Sequence, residues 1–261
     1  MSNTPVYITI AGSDCSAGAG LQADLKAGFA LGCYPLTAVT CVVNEIPGKV
    51  EGIVPMEADF VAGQLRLCLQ SFPVQAIKTG MLYSPDIVRA VVAELKGFQG
   101  AIVVDPVMIA TAGEALILQE AIEVYEQELI PHTTLLTPNL DELARLCGCG
   151  TIRTFEHMQE KATQLCQKYG CAILAKGGHL EGNECIDLLV QPDGTQQSWS
   201  HPRTEGVSTH GTGCTLSSAI TAWLAHGLPL EEAVEKGLAY VTQAIANAHR
   251  LGGIDALNHH A

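Results

Sequence analysis

Thr209-His210-Gly211-Thr212-Gly213-Cys214-Thr215 runs straight into Leu216-Ser-Ser-Ala-Ile-Thr-Ala-Trp-Leu224, where apolar residues recur at the spacing of one helical face. The glycines are therefore predicted at a helix N-terminus, where unpaired backbone N–H groups and the helix dipole attract an anion. Gly211 and Gly213 lack a Cβ, so the backbone can turn sharply and approach a phosphate. Cys214 would lie in the first helical turn, where the same positive field is expected to lower the pKa of its thiol. Gly-x-Gly before a helix is also an ordinary turn and cap, so this spacing alone leaves the function open.

The composition of the whole chain limits the classes of partner. Its 261 residues are 48% hydrophobic and carry a formal net charge of -13. Such an acidic chain is not expected to bind nucleic acid or an anionic membrane, although a local nest of N–H groups with one Lys can still bind phosphate. The first residues do not resemble a signal peptide, and no apolar run is long enough to span a membrane. We therefore expect a cytoplasmic protein.

The ten cysteines are scattered and form no Cys-x-x-Cys pair. Buried free thiols in a reducing compartment account for them most simply. Cys147 and Cys149 are two residues apart, but no second pair or histidine cluster has metal-ligand spacing. The sequence therefore predicts neither a disulfide framework nor a zinc site.

The order of elements predicts an α/β fold. Val6–Ile10 reads as a strand, Ala11–Gly20 as a glycine-rich loop and Leu21–Leu31 as a helix, which is the entry of a doubly wound sheet. Strands and helices then alternate without a composition break or a repeat. We expect one domain over residues 1–261, a three-layer αβα sandwich with a mostly parallel central sheet.

Several local signals refine this reading. Leu36–Val43 is predicted as a strand followed by a turn over Asn44–Lys49, and the last helix is predicted from Pro229 to near Gly252. A β-hairpin is predicted where Asp187–Val190 is joined to Gln196–Trp199. Helix N-caps are predicted at Ser84 and Thr154.

Polar residues that follow buried strands are candidates for a ligand site, because sites of open α/β sheets lie at the carboxyl ends of strands. Asp105 ends the apolar run Ala101–Val104, and a buried carboxylate there needs a cation or hydrogen-bond donors. Asn139 and Glu142 have the spacing of a helix capping box, and Lys176 after the next strand could be an ordinary surface residue. Carboxylates with phosphate nearby would equally suit Mg²⁺.

Three segments together resemble the ribokinase superfamily. These are the heptapeptide at residues 209–215, Ala11-Gly-Ser-Asp-Cys-Ser-Ala-Gly-Ala-Gly-Leu-Gln-Ala-Asp-Leu-Lys26 and Lys176-Gly-Gly-His179. Within that superfamily the chain resembles the hydroxymethylpyrimidine/phosphomethylpyrimidine kinases of thiamine biosynthesis, from Ala11 to about Ala248. The resemblance implies a ribokinase-like fold and a homodimer that uses ATP and Mg²⁺. It implies phosphorylation of 4-amino-5-hydroxymethyl-2-methylpyrimidine and then of its monophosphate.

The resemblance also implies the roles of individual residues. Cys214 would take the proton of the acceptor hydroxyl, while the N–H groups of Gly211, Thr212 and Gly213 stabilise the transferred group. The nucleotide would be bound by Lys176, Asn139, Thr209 and His210, and the metal by Asp105 and Glu142. The acceptor pocket would be shaped by Gly12, Ala19, Asp24, Glu45, Met81 and Val107.

Two departures from the family pattern concern the acceptor. Cys15-Ser16-Ala17-Gly18 replaces the usual Pro-Ser-Gly-Gly, and Ile46-Pro47 follows Glu45 where the family has Asn-Thr. The alternative is therefore that the protein is a pyridoxal or pyridoxine kinase. Two other classes stay open, a hydrolase or acyltransferase using Cys214 with His210 as base, and a nucleotide- or vitamin-binding protein without catalysis.

Overall fold

A computed structural model describes residues 4–108, 118–181, 184–203 and 210–260. Its described residues contain a nine-stranded sheet in the order β3-β2-β1-β4-β5-β6-β7-β8-β9. The strands are β1 (Val6–Asp14), β2 (Tyr34–Ile46), β3 (Lys49–Pro55), β4 (Val74–Thr79), β5 (Ala101–Val104), β6 (Leu135–Leu136), β7 (Ala172–Ala175), β8 (Glu184–Val190) and β9 (Gln196–Pro202). β2, β1, β4, β5, β6 and β7 are parallel to one another, whereas β3, β8 and β9 pair antiparallel at the two edges.

Helices cover both faces of this sheet. They are α1 (Gly20–Ala30), α2 (Ala58–Ser71), α3 (Pro85–Leu95), α4 (Gln119–Val124), α5 (Leu140–Cys147), α6 (Phe155–Tyr169), α7 (Thr212–Ala225) and α8 (Leu230–Ala246). α4 continues into a π-helical turn, Tyr125–Leu129, and a 3₁₀ turn, Ile130–His132.

The strands bury alternate side chains on opposite faces, which creates two main cores. In β5, Ile102 and Val104 pack in the core beneath α2, α3, α4, α5 and α6, whereas Val103 packs in the core beneath α1, α7 and α8. The predicted three-layer αβα sandwich with a mostly parallel sheet is thereby confirmed.

The predicted helix caps are present. The Ser84 hydroxyl accepts the Ile87 N–H with Pro85 at the first helical position, and Thr154 accepts the His157 N–H. Asn139 and Glu142 form a reciprocal capping box at the start of α5. The predicted hairpin of β8 and β9 is also present.

The structure corrects the predicted turn at residues 44–49. β2 continues to Ile46 and β3 begins at Lys49, so that Glu45 is a strand residue paired with Val50. Alternation explains this, because Cys41, Val43 and Glu45 all lie on the less exposed side of β2.

The predicted last helix was too long. α8 ends at Ala246, and the chain then forms an antiparallel pair, β10 (His249–Leu251) and β11 (Ile254–Ala256). Gly252 and Gly253, both with positive φ, form the intervening turn. Across the described ranges no helix has both the length and the apolar character needed to cross a bilayer.

Candidate active site

Two glycine-containing loops meet at the carboxyl end of β1, a central strand of the parallel sheet. The first, residues 14–20, joins β1 to α1, and the second, residues 210–214, leads into α7. Gly211 is the N-cap of α7 with φ 81°, and a Cβ built on it would lie 1.9 Å from the Gly18 carbonyl oxygen. A Cβ on Gly18 would lie 2.7 Å from Cδ2 of His210. The two loops therefore touch through backbone, and only glycine permits this approach.

Asp14 organises the first loop and links it to the second. Its carboxylate accepts the Ser16 N–H (2.7 Å), the Ala19 N–H (2.7 Å) and the Gly18 N–H (3.1 Å), and it also lies 3.0 Å from Nε2 of His210. Burial alone would raise the pKa of Asp14, but the hydrogen bonds from His210, Ser16 and Ala19 outweigh it and lower the pKa to about 2. Asp14 was not among the predicted site residues, although it lies inside the quoted motif.

Cys214 lies in the first turn of α7, as predicted, but the expected lowering of its pKa is wrong. Burial raises the pKa of the Cys214 thiol to about 12, and the nearby Asp24 and Asp105 carboxylates add to that effect. The Lys78 ammonium and a hydrogen bond from the Gly20 backbone oppose it. At neutral pH the sulfur is therefore a thiol.

A charged cluster lies beside the start of α7. The Asp105 carboxylate lies 3.1 Å from Nζ of Lys176 and accepts a hydrogen bond of 3.2 Å from the Ser217 hydroxyl. A Cβ built on Gly213 would lie 3.1 Å from that same Nζ, so the ammonium is next to the helix N-terminus. Burial would lower the pKa of Lys176, but the Asp105 and Glu142 carboxylates outweigh it and raise the pKa.

Glu142 and Asn139 complete this cluster from α5. One Glu142 oxygen accepts the Asn139 N–H (2.9 Å) and the other accepts the Met108 N–H (3.3 Å). Burial raises the pKa of Glu142, Asp105 adds to the increase and Lys176 opposes it. Asn139 also forms a parallel bridge with Lys176.

Asp105 and Glu142 are oxygen donors of the kind that Mg²⁺ takes, one or two carboxylates together with water and phosphate. Within the described ranges no cluster of three or more His, Cys, Asp or Glu residues is gathered as a ready metal site. Asp105 and Glu142 could supply the carboxylates of a Mg²⁺ site whose other ligands are phosphate and water.

Three of the predicted acceptor residues, Gly12, Met81 and Val107, lie in or against a small apolar cluster. Gly12 lies against it, because a Cβ there would be 2.8 Å from Sγ of Cys41 and 3.6 Å from Sδ of Met81. The cluster contains Cys41, Val43 and Met81, with Val107 and Tyr83 packed on its rim. Val107 has φ 31°, which is uncommon for a β-branched residue and marks local backbone strain.

Glu45 extends the same side of β2 beyond Val43. It is half-buried, and burial raises the pKa of its carboxyl, with a further contribution from Asp14 and an opposing one from His210. The Sγ of the exposed Cys15 lies 3.1 Å from the Glu45 carbonyl oxygen. Glu45 is therefore a polar group between the apolar cluster and the first glycine loop.

Asp24 has a different surrounding from the one expected of a pocket residue. Its side chain is fully buried, both of its oxygens contact Nζ of Lys78 at 2.9 and 2.7 Å, and it accepts a hydrogen bond from Thr9. Lys78 is also fully buried, and no sequence pattern had singled it out. Ala19, the N-cap of α1, lies in the first glycine loop, whereas Thr209 lies outside the described residues.

Comparisons with known proteins identify the family of the chain. A family model described as phosphomethylpyrimidine kinase matches residues 14–258. The chain is 39% identical to a hydroxymethylpyrimidine/phosphomethylpyrimidine kinase of Rhizobium meliloti, with 95% of this chain and 93% of that protein covered. It is 40% identical to the thiamine biosynthesis bifunctional protein ThiED of Geobacter sulfurreducens over 97% of this chain, which spans about half (51%) of that protein.

Similarity in structure extends to a second group of enzymes. The pyridoxal kinase of Staphylococcus aureus, in a complex with AMP-PCP and pyridoxal, superposes with a TM-score of 0.90 at 32% sequence identity. The match covers 100% of this chain and 95% of that one.

Proposed function

The chain belongs to the phosphomethylpyrimidine kinase family, and we propose that it uses ATP to phosphorylate 4-amino-5-hydroxymethyl-2-methylpyrimidine and then the resulting monophosphate in thiamine biosynthesis. The observation that carries this proposal is the contact between the two glycine loops. The first loop follows β1, whose Gly12 lies against the acceptor cluster, and it touches, through Gly18 and Gly211, the helix N-terminus suited to a phosphate. Two substrates bound there would have their reacting groups side by side.

The phosphate end of the site supports phosphoryl transfer. Catalysis of this reaction depends on positioning and on neutralising negative charge. The backbone N–H groups of Gly211, Thr212 and Gly213 at the start of α7 would stabilise the transferred group, and the Lys176 ammonium beside Gly213 would approach the nucleotide phosphates. His210 and Thr209 complete the proposed nucleotide contacts.

Asp105 and Glu142 are the proposed holders of Mg²⁺, with Asn139 beside them. When bound, this ion supplies charge neutralisation for the polyphosphate. Asp105 has a second role in this proposal, because its contact with Lys176 holds the ammonium close to Gly213.

The acceptor end supports a small planar substrate. Gly12 and Met81 would form the apolar wall of the pocket, Val107 its rim and Ala19 its floor. Glu45 would hydrogen-bond the polar edge of the aminopyrimidine. Asp24 would help to shape the pocket from beneath, with its carboxylate paired with the Lys78 ammonium.

Cys214 is the proposed acceptor of the hydroxyl proton, at Sγ. Because its pKa is raised to about 12 in the free protein, bound substrates must lower that pKa before the sulfur can act as a base. The same protonated thiol disfavours a hydrolase that uses Cys214 as nucleophile. His210 lies 3.0 Å from Asp14, as the base of such a mechanism could, so the raised pKa of the thiol is the observation against it.

The proposed activity is tested by measuring ADP release with Mg-ATP, offering the hydroxymethylpyrimidine, its monophosphate and pyridoxal in parallel. Turnover on both pyrimidines, lost with EDTA, would support the proposal. Cys214→Ala and Cys214→Ser variants, matched in folding, should lose most of kcat while still binding an ATP analogue. Silence on all three acceptors, with the analogue still bound, would favour a binding protein instead.

Pyridoxal kinase is the second candidate, because the similarity to the Staphylococcus aureus enzyme covers the entire chain. Glu45 is the residue expected to separate the two substrates, since it is the polar group beside the apolar cluster. Glu45→Gln should therefore change the ratio of kcat/KM for the pyrimidine to that for pyridoxal. An unchanged ratio would remove Glu45 from the acceptor site.

We further propose that the protein is a cytoplasmic homodimer whose subunit is one domain over residues 1–261. The continuous nine-stranded sheet and the family match over residues 14–258 support one domain. Light scattering on the purified protein measures the oligomeric state.

A further inference from the structure

The last residues of the chain reach the helix that begins at the proposed phosphate site. Nε2 of His259 lies 3.0 Å from Oγ1 of Thr215, the residue that follows Cys214 in the first turn of α7. Both residues are buried, Thr215 completely. Nothing in the proposed mechanism uses this contact.

The protonation of the imidazole follows from its two partners. A hydrogen bond between the ring and the Leu257 backbone favours the tautomer with the proton on Nδ1, in which Nε2 is an acceptor. Burial lowers the pKa of His259 to about 4, and the nearby Lys26 adds to the decrease, so the ring is neutral at physiological pH. In that tautomer the Thr215 hydroxyl donates its hydrogen bond to Nε2.

His259 is itself held in place by α8. The Tyr240 hydroxyl donates a hydrogen bond of 2.8 Å to the His259 carbonyl, and the Asn258 N–H donates one of 3.1 Å to the Ala244 carbonyl. The backbone that carries the ring is thus tied to α8, which places the ring against α7.

The Thr215 hydroxyl has a competing partner close by. A threonine in a helix commonly turns its hydroxyl back to the carbonyl four residues earlier, which bends the helix. For Thr215 that carbonyl belongs to Gly211, the N-cap, which already accepts the Thr215 N–H at 2.9 Å. A bond from Thr215 to His259 keeps the hydroxyl away from the turn that presents the proposed phosphate-binding N–H groups.

We propose that His259 is a positioning residue for phosphoryl transfer, which holds the Thr215 hydroxyl and thereby fixes the first turn of α7. This inference rests on the proposed function, which assigns phosphate binding to the first turn of α7. It assigns His259 no contact with substrate. Its loss should therefore affect the rate of transfer more than the binding of the acceptor.

The test uses Thr215→Val, which keeps the shape of the side chain but removes the donor, and Thr215→Ser, which restores a hydroxyl. His259→Phe removes the acceptor, and His260→Phe at the exposed neighbouring residue is the matched control. Kinetics of ADP release give kcat and the KM of the acceptor. Calorimetry with an ATP analogue and thermal melting monitor nucleotide binding and folding separately.

We expect Thr215→Val and His259→Phe to lower kcat about tenfold, equivalent to 1.36 kcal/mol of barrier, with the KM of the acceptor within twofold. The kcat of Thr215→Ser and of His260→Phe should stay near that of the starting enzyme. The Thr215→Val, His259→Phe double variant should be no slower than either single variant. Folded single variants with unchanged kcat, or a double variant whose losses add, would overturn the proposal. If His259→Phe does not fold, the difference in kcat between Thr215→Val and Thr215→Ser tests the proposal in the same way.

The design separates this proposal from the proposed function. If the starting enzyme shows no turnover on any acceptor, it is the substrate assignment that fails. The ¹⁵N shifts of the His259 ring then still report whether Nε2 is an unprotonated acceptor, and ATP-analogue affinity reports whether Thr215→Val loosens the turn. A protonated Nε2, or analogue affinity unchanged by Thr215→Val, would overturn the positioning role in that case.

Discussion

At the scale of single residues, Asp14 shows how one buried carboxylate can shape a loop that has little apolar packing of its own. Four donors from the first glycine loop and the His210 ring converge on its two oxygens. Hydrogen bonds to an ionised acceptor are about twice as strong as neutral ones. The loop is therefore held by charge rather than by side-chain burial.

Asp14→Asn should lower the free energy of unfolding by about 2–3 kcal/mol at pH 7, because an amide NH₂ would face backbone N–H donors in a buried place. The native carboxylate, with its pKa lowered from 3.8 to about 2, stabilises the fold fully above pH 3.8 and loses this contribution as pH falls through 2. The difference between the two proteins should therefore shrink between pH 4 and pH 2. Urea unfolding across that range measures it, with Ser16→Ala, which removes one donor, as a milder control. A difference of less than 0.5 kcal/mol at pH 7, on the order of a neutral surface change, would contradict this role.

Cys214 shows what sequence reasoning at a single residue can miss. The helix terminus was visible in the sequence, and its effect on a charge is about 0.3–1 kcal/mol, less than one pKa unit. Burial can move a pKa by about 3–5 units. The groups around Cys214 include Gly20, Lys78 and Asp105, all more than a hundred residues away in the sequence, so the direction of its pKa shift could not be predicted locally.

At the scale of elements, the two glycines at the start of α7 have different structural tasks. Gly211 has φ 81° and lies against the backbone of Gly18, which cannot move aside without displacing the first loop. Gly213 lies inside the helix, and its nearest neighbour is the end of the Lys176 side chain at 3.1 Å. Backbone contact and side-chain contact therefore distinguish them.

Gly211→Ala should lower kcat/KM by about a hundredfold or more and destabilise the fold, because the strained φ and the clash with Gly18 both disturb the N-terminal turn. Gly213→Ala should keep or raise the melting temperature, since alanine is favoured over glycine in a helix by about 0.5–1 kcal/mol. Its activity should still fall, because the methyl group displaces Lys176. Thermal melting and ADP release on the two variants compare them directly. Equal stability of the two variants would be inconsistent with this distinction.

The elements that could be predicted were those with local signals. Ser84-Pro85, Thr154 and the Asn139–Glu142 spacing fixed helix starts, because capping depends only on neighbouring residues. Glu45 was placed in a turn because Pro47-Gly48 looked like the end of a strand, whereas the actual turn is only those two residues. The pair β10 and β11 was missed because each strand has three residues, too few to show alternation.

At the scale of the whole molecule, the Asp24–Lys78 pair ties α1 to the centre of the sheet. Asp24 lies on α1, Lys78 on β4, and Thr9 of β1 donates to the same carboxylate. Burial would lower the pKa of Lys78, but the Asp24 charge outweighs it and raises the pKa, so the ammonium stays charged. The sequence could not reveal this pair, because the two residues are 54 positions apart and Lys78 belongs to no motif that pointed to Asp24.

Removing one member of this pair should cost far more than removing both. Lys78→Met leaves a buried carboxylate without a cation and should lower the free energy of unfolding by about 3–5 kcal/mol, whereas the Asp24→Asn, Lys78→Met double variant should recover most of that loss. Urea unfolding of both single variants and of the double variant gives the coupling energy of the pair. Lys49→Met, at an ion pair whose side chains are 62% and 53% exposed, is the matched control and should change stability by less than about 1 kcal/mol. The large loss in a single variant is expected because it leaves a buried charge unpaired. If the losses of unfolding free energy simply add in the double variant, Asp24 and Lys78 stabilise the fold independently and this explanation is wrong.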